Sequence, residues 1–145
     1  MRKAMLATLV LASQMFAGGF YLILGNPEAS PEARKANAVL TMKAAGCHEP
    51  WKAQVTGKAV GVVDGKRQEI PLKVMPLSEP GMFAVTQQWP KEGRWVIELQ
   101  AKESINGQPA YTHALVPAGP QGVDRLSAKT NMKQFGPADI DAMLK

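Results

Sequence analysis

Cys47, His48 and His113 are the side chains of this chain best suited to chemistry, and Met75 and Met82 could join them. Thiolate, imidazole and thioether donors together suit a soft ion such as Cu(I). Copper is therefore the cofactor to expect if there is one, with Cys47, His48 and His113 as its protein ligands. Cys47 and His48 are adjacent, and a strand would send adjacent side chains to opposite faces. The segment Gly46-Cys47-His48-Glu49-Pro50 reads as a loop, which relaxes that constraint. The plainer expectation is a half-buried structural cysteine, with His113 as a sheet residue between Tyr111 and Leu115.

Other readings of the same residues fail on spacing. Ala45-Gly46-Cys47 resembles a lipidation box, but the apolar run ends at Leu24 and Lys43 stands just upstream. Cys47-His48 resembles half of a haem-attachment motif, yet Ala44 occupies the place of the first cysteine. His48 and His113 are far apart along the chain, and neither a Gly-x-Ser-x-Gly nor a His-Glu-x-x-His pattern occurs. Asp139 and Asp141 stand two apart on an expected helix, so they share no face and form no acid–base pair. The chain has no glycine-rich phosphate loop. An enzyme is not expected. Trp89, at a strand end beside Pro90, is the residue to expect in contact with a partner.

The amino-terminal segment sets the compartment. Arg2 and Lys3 precede an uncharged stretch that runs from Ala4 to Pro27. Its apolar part extends from Ala4 to Leu24. That length suits a transmembrane helix, which needs about 20 residues, better than a signal-peptide core of about 7–15. Thr8, Ser13, Gln14 and Gly18-Gly19 weaken it as a span. The small-residue triplet Ala36-Asn37-Ala38 lies far past the run for cleavage, and Ala17 has Met15 two places before it. Residues 1–25 are thus an export signal or a membrane anchor, and the rest is expected in the periplasm or cell envelope. Membrane attachment would come through this segment if it is retained.

With Cys47 as the only cysteine, an internal disulfide is impossible. Leaving out Arg2, Lys3 and Glu28 turns the chain's net charge of +5 into +4 for the part after residue 30. The excess is scattered over Lys52, Lys58, Lys66, Arg67, Lys73, Lys91 and Arg94 among others. No basic run or basic–aromatic ladder suits nucleic acid. Mild attraction to an anionic membrane, or a membrane-protein partner, fits better.

Residues 26–37 are polar, carry two prolines and read as a linker. Residues 38–118 read as a β-sandwich domain. Val39–Ala44 begins it. Val55–Val63 leads through Asp64-Gly65, a strong hairpin signal, into a return strand over Gln68–Leu77. Phe83 and Val85 face inward from the next strand. Trp95, Ile97 and Leu99 alternate as a core face, and Asn106-Gly107 turns the chain into a last strand over Ala110–Val116. Short strands at a spacing of about 8–12 residues, without room for crossover helices, predict an antiparallel sandwich. Residues 119–145 read as a tail. Gly119-Pro120-Gln121-Gly122 breaks the strands, and Pro137 opens a short terminal helix whose Ile140, Met143 and Leu144 stripe should dock on the sandwich.

The segment Pro80-Gly81-Met82-Phe83-Ala84-Val85 followed by Pro90-Lys91-Glu92-Gly93-Arg94-Trp95-Val96-Ile97 resembles exported immunoglobulin-like domains of the YtkA-like and FixH-like group. Those domains carry Pro-Gly, an aromatic strand, then Pro-x-x-Gly-x-Trp and an apolar strand. The resemblance spans Ile70 to Ala101. It implies an immunoglobulin-like β-sandwich, membrane-tethered or periplasmic, sometimes near copper handling or oxidase assembly. No metal ligand carries over from it. The expected function is an exported, non-enzymatic binding or accessory module at the membrane surface. The alternative is a small copper-handling or redox accessory protein using Cys47 and His48.

Overall fold

Two Asx-Gly pairs set the longest hairpins. Asp64 and Gly65 have φ of 51° and 74°, and Asn106 and Gly107 have 52° and 76°. Positive φ at both central positions matches the right-handed twist of the strands they join. The first pair joins β3 (Gln54–Val63) to β4 (Lys66–Leu72), and the second joins β7 (Arg94–Ile105) to β8 (Gln108–Gly119). A computed structural model describes residues 19–46 and 48–145. The expected membrane or signal helix therefore lies outside the described residues, apart from the end of its apolar run. Among the described residues, no helix is long and apolar enough to cross a membrane.

The remaining elements are β1 (Tyr21–Gly25), α1 (Pro31–Lys35), β2 (Ala38–Ala45), β5 (Val74–Pro76), β6 (Met82–Thr86), β9 (Gly122–Val123), β10 (Lys129–Asn131) and α2 (Pro137–Leu144). They form two antiparallel sheets. The smaller runs β1-β2-β6-β5, and the larger runs β10-β8-β7-β3-β4, with β9 pairing onto the end of β8. The chain is a β-sandwich. Leu22, Leu40, Met42 and Val85 from the small sheet pack against Trp95, Ile97, Leu99, Ala114 and Val116 from the large one. Trp95 is 1% exposed, and its indole N–H donates to the Glu92 carbonyl at 2.9 Å. Its ring lies over Gly61, the residue paired with it on β3, where a Cβ would collide with the indole. Glycine is required there for packing, not for a turn.

The domain begins earlier than the sequence suggests. Tyr21–Gly25 pairs with Thr41–Ala45 as an edge strand, and Phe20 and Leu22 are buried in the core. Alternation of buried and exposed side chains, Leu22 in and Tyr21 and Ile23 out, is hidden inside an apolar run when only hydropathy is read. The linker expected over residues 26–37 is instead folded. Ser30 Oγ caps α1 by accepting from Ala33 N–H, and Ala33 is wholly buried against Leu77 and Ala84. Glu32 accepts from both the N–H and the hydroxyl of Ser78, which lowers its pKa.

The return strand expected over Gln68–Leu77 splits at Lys73. The Gln88 amide accepts from Lys73 N–H at 2.8 Å and donates to Lys73 C=O at 3.0 Å. That side chain replaces a ladder bond, and Val74–Pro76 crosses to pair with β6 in the other sheet. The tail also belongs to the sandwich. Gly119-Pro120-Gln121-Gly122 is a tight turn that returns β9 onto β8, and β10 extends the same edge. The terminal helix α2 docks as expected: Ile140 is buried with Val60, Val96 and Leu115, and Met143 and Leu144 pack beside it. Asp139 accepts from Gly136 N–H at the helix start, and Asp141 pairs with Arg67 of β4 at 2.6 Å.

Candidate functional site

The outer face of the large sheet is only partly covered. The register aligns Thr56, Gln100, His113 and Asn131 in one row across β3, β7, β8 and β10. The next row is Gln54, Lys102 and Tyr111. These residues alternate with the core face, so their side chains point outward by the two-residue period of a strand. α2 and Phe135 cover the apolar part of this face, Val60, Val96 and Leu115. The polar rows stay open beside them. Gln134, on the segment that leads to α2, lines both sides of the groove together with Gln100. One side, of about 400 Å³, is lined by Gln100, Tyr111, His113, Met132 and Gln134. The other, of about 230 Å³, is lined by Thr56, Gly57, Lys58, Glu98, Gln100 and Gln134.

His113 is 3% exposed, and its ring stacks beside that of Tyr111 with centroids 6.4 Å apart. Burial pushes the imidazole below its ordinary pKa, and the nearby Glu98 carboxylate opposes that shift. The Lys102 ammonium lies 5.8 Å from the Tyr111 ring centre. Glu98 keeps one buried oxygen without a hydrogen bond, although Lys58 Nζ stands 3.5 Å from it. Lys58 is held closer to Glu69, at 3.1 Å, and its pKa is raised by that bond first and by Glu98 in lesser part.

Among the described residues, the expected copper ligands His48, His113, Met75 and Met82 are not brought together. Met75 pairs with Ala84 and Met82 with Lys43, both in the small sheet. His113 lies on the outer face of the opposite sheet, so neither methionine can reach it across the sandwich. His48 is also separate. The next residue, Glu49, donates its N–H to Glu103 Oε1 at 3.0 Å, and Glu103 stands on the core phase of β7, opposite to the His113 face. Cys47 lies outside the described residues. His48 is exposed and has a φ of 71°, unusual for a residue with a Cβ. Its loop is tied at several points. Gly46 packs against Gly19 so closely that a Cβ would strike the Gly19 carbonyl, Glu103 holds Glu49, and Lys52 pairs with Glu49 at 2.8 Å.

Trp89 is not a surface contact. It is 6% exposed and belongs to the core, because the chain turns at Pro90 and folds the indole under the sheet. Trp51, 51% exposed, is the tryptophan at the surface.

Sequence reasoning missed Gln100, Tyr111, Gln134 and Glu103 as site residues. Glu103 left a signal, since it continues the core phase of Trp95, Ile97, Leu99 and Ala101 and a carboxylate there is out of place. Gln134 left none, because its position depends on how the tail crosses the sheet. Comparison of the chain with protein-family models, curated proteins and solved structures finds no match to any of them.

Proposed function

We propose that this protein is an exported, immunoglobulin-like β-sandwich of the YtkA-like and FixH-like kind, acting as a non-enzymatic binding or accessory module at the extracytoplasmic membrane surface. The observation that carries the binding reading is the groove beside α2, built from Gln100, Tyr111, Met132, Gln134 and the nearly buried His113 on a sheet face whose apolar part is capped. Gln100, Tyr111 and His113 are held on the paired strands β7 and β8, which fixes their donors and acceptors for recognition of a ligand. A membrane protein is the natural partner for a module delivered to that surface.

Export is supported by the first residues together with β1. Phe20 to Gly25 are engaged in the sandwich, so the apolar run left for the membrane is only Ala4–Gly18. That matches a signal-peptide core of about 7–15 residues better than a span of about 20. Ala17 and Gly19 then put small residues at the two positions that cleavage before Phe20 would need. Expression of the full chain followed by fractionation and intact mass tests this reading. Recovery outside the cytoplasm with a mass beginning near Phe20 is expected, and a full-length chain confined to the cytoplasm would refute it.

A copper-handling or redox role for Cys47 and His48 is the second reading. It draws support from the left-handed backbone of His48 in a loop fixed from several sides, a strain that tends to accompany function. Stoichiometric Cu(I) binding lost in both Cys47→Ser and His48→Ala would favour it; binding indifferent to His48 would reject it.

A further inference from the structure

We propose that the groove on the large sheet binds a neutral, polyhydroxylated ligand, a short saccharide chain. This deepens the binding-module reading and rests on it. The floor and rim of the groove carry the amides of Gln100 and Gln134, the hydroxyls of Thr56 and Tyr111, and the His113 imidazole. None of these five side chains is engaged in a hydrogen bond with another described residue. Each amide offers donor and acceptor at fixed spacing. A sugar hydroxyl also donates and accepts, so neighbouring hydroxyls match such a surface.

Other ligand classes fit worse. An anionic ligand would need clustered cations, whereas Lys58 is paired with Glu69 and Glu98, Lys102 lies over the Tyr111 ring, and Glu98 itself lines the groove. An apolar ligand would need apolar walls on several sides, and Met132 is the aliphatic side chain that lines this groove. A peptide would need aromatic or aliphatic anchor pockets, and the Tyr111 ring is already flanked by Lys102 and His113. The groove also has size. The row from Thr56 to Asn131 crosses four strands, about 14 Å at the usual spacing of neighbouring strands. That is room for a short oligosaccharide and more than one sugar ring fills.

The neutral state of the imidazole serves the same chemistry. Burial disfavours the charged form of His113, which leaves one nitrogen to donate and one to accept.

The test is titration of the mature protein with three separate probes: the tetramers of N-acetylglucosamine, β-1,4-glucose and α-1,4-glucose. Side-chain amide resonances of Gln100 and Gln134 report the site. At least one probe should give saturable shifts there, with Kd of about 1 mM or tighter. Gln100→Ala and Gln134→Ala should each weaken binding about tenfold with an unchanged melting temperature, and Tyr21→Ser on the opposite sheet should have no effect. Retention on insoluble cell-wall glycan, lost in Gln100→Ala, would assign the ligand to the wall; tetramer binding without retention would assign it to soluble sugar. Silence of all three probes up to about 10 mM, which is weaker than about −3 kcal/mol of binding, would overturn the proposal. So would shifts confined to the surface around Trp51. Fractionation is independent of these probes. An exported protein that ignores all saccharides loses only this inference, and a cytoplasmic one that binds them loses only the export reading.

Discussion

The two outer faces of this sandwich are finished in different ways. On the large sheet an eight-residue helix, α2, covers Val60, Val96 and Leu115, and what it leaves open is a mostly polar groove with Met132 and Tyr111 on its rim. On the small sheet the five-residue α1 buries little more than Ala33 against Leu77 and Ala84. What it leaves open is apolar: Tyr21 and Ile23 are each 48% exposed on the edge strand, and Trp51 stands near the same end. The first face carries hydrogen-bonding groups on three central strands and has a built groove. The second offers apolar side chains next to a strand edge and, at its end, a cavity of about 430 Å³ lined by Lys43, Ala44, Pro50, Trp51, Glu79 and Pro80. A specific ligand needs fixed polar geometry, so the large sheet is where recognition is expected.

Both faces depend on the layer between them, and the largest effects should appear there. Trp95→Ala should cost about 3–5 kcal/mol and abolish both faces together, read as a fall in denaturant midpoint. An unchanged midpoint would mean that the indole is not in the core. Ile140→Ala should cost about 2–5 kcal/mol by the same measure and selectively loosen α2. Hydrogen exchange should then rise in α2 and Phe135 while β1 and β2 stay protected. Equal loss on both sheets would erase the distinction between the faces.

A smaller effect concerns the buried carboxylate at the end of β7. Glu103→Ala removes the acceptor for Glu49 N–H and should cost about 1–3 kcal/mol, whereas Glu103→Gln keeps that acceptor and should cost less. One oxygen of Glu103 is buried without a partner among the described residues, which limits what the wild-type carboxylate contributes. Equal destabilisation by the two substitutions would show that the bond to the loop is not what matters.

His113 gives the groove an imidazole-range pH dependence, whereas the shifted group beside the small sheet is the Glu32 carboxyl. Its folded pKa is depressed, mainly by burial. The unfolded chain therefore binds the proton more readily, and stability falls as pH drops from the ordinary imidazole value of about 6.5 towards the lower folded value. Above that window His113 contributes nothing to the slope. In His113→Gln this part of the slope should vanish, as followed by thermal midpoints from neutral to mildly acidic pH. An identical profile would assign the slope to other groups. Ile23→Thr on the other face should change stability by no more than about 0.5 kcal/mol at any pH, because the side chain is half exposed. A larger loss would show that the small sheet relies on its edge strand's outer face.

The sequence made the interior legible and the exterior only in part. Trp95, Ile97 and Leu99 alternate with polar neighbours, and Asp64-Gly65 and Asn106-Gly107 carry turn chemistry that few conformations satisfy, so these elements were readable from period and turn type. β1 was not, because an apolar run ahead of a polar stretch looks the same whether lipid or a protein core receives it. The crossing at Lys73 was hidden in a distant side chain, Gln88. Trp89 was misread because a strand end beside proline leaves the direction of the ring open. The groove required knowing which residues of separate strands share a row, and that Gln134 lines it with them. The pairing of His113 with Gln100 and Asn131 follows from register, and register follows from the assembled sheet.

The role of the first apolar residues is the point on which the fold and the export reading meet, and comparing two shortened chains tests it most directly. One begins at Phe20 and the other at Asn26. The account predicts that the Phe20 chain unfolds cooperatively at the midpoint of the mature protein. The Asn26 chain, without Phe20, Leu22 and the β1 pairing to Thr41–Ala45, should lose several kcal/mol, on the scale of about 2–5 kcal/mol for each large core side chain removed. Equal midpoints for the two chains would contradict it and return Tyr21–Gly25 to the membrane-directed segment.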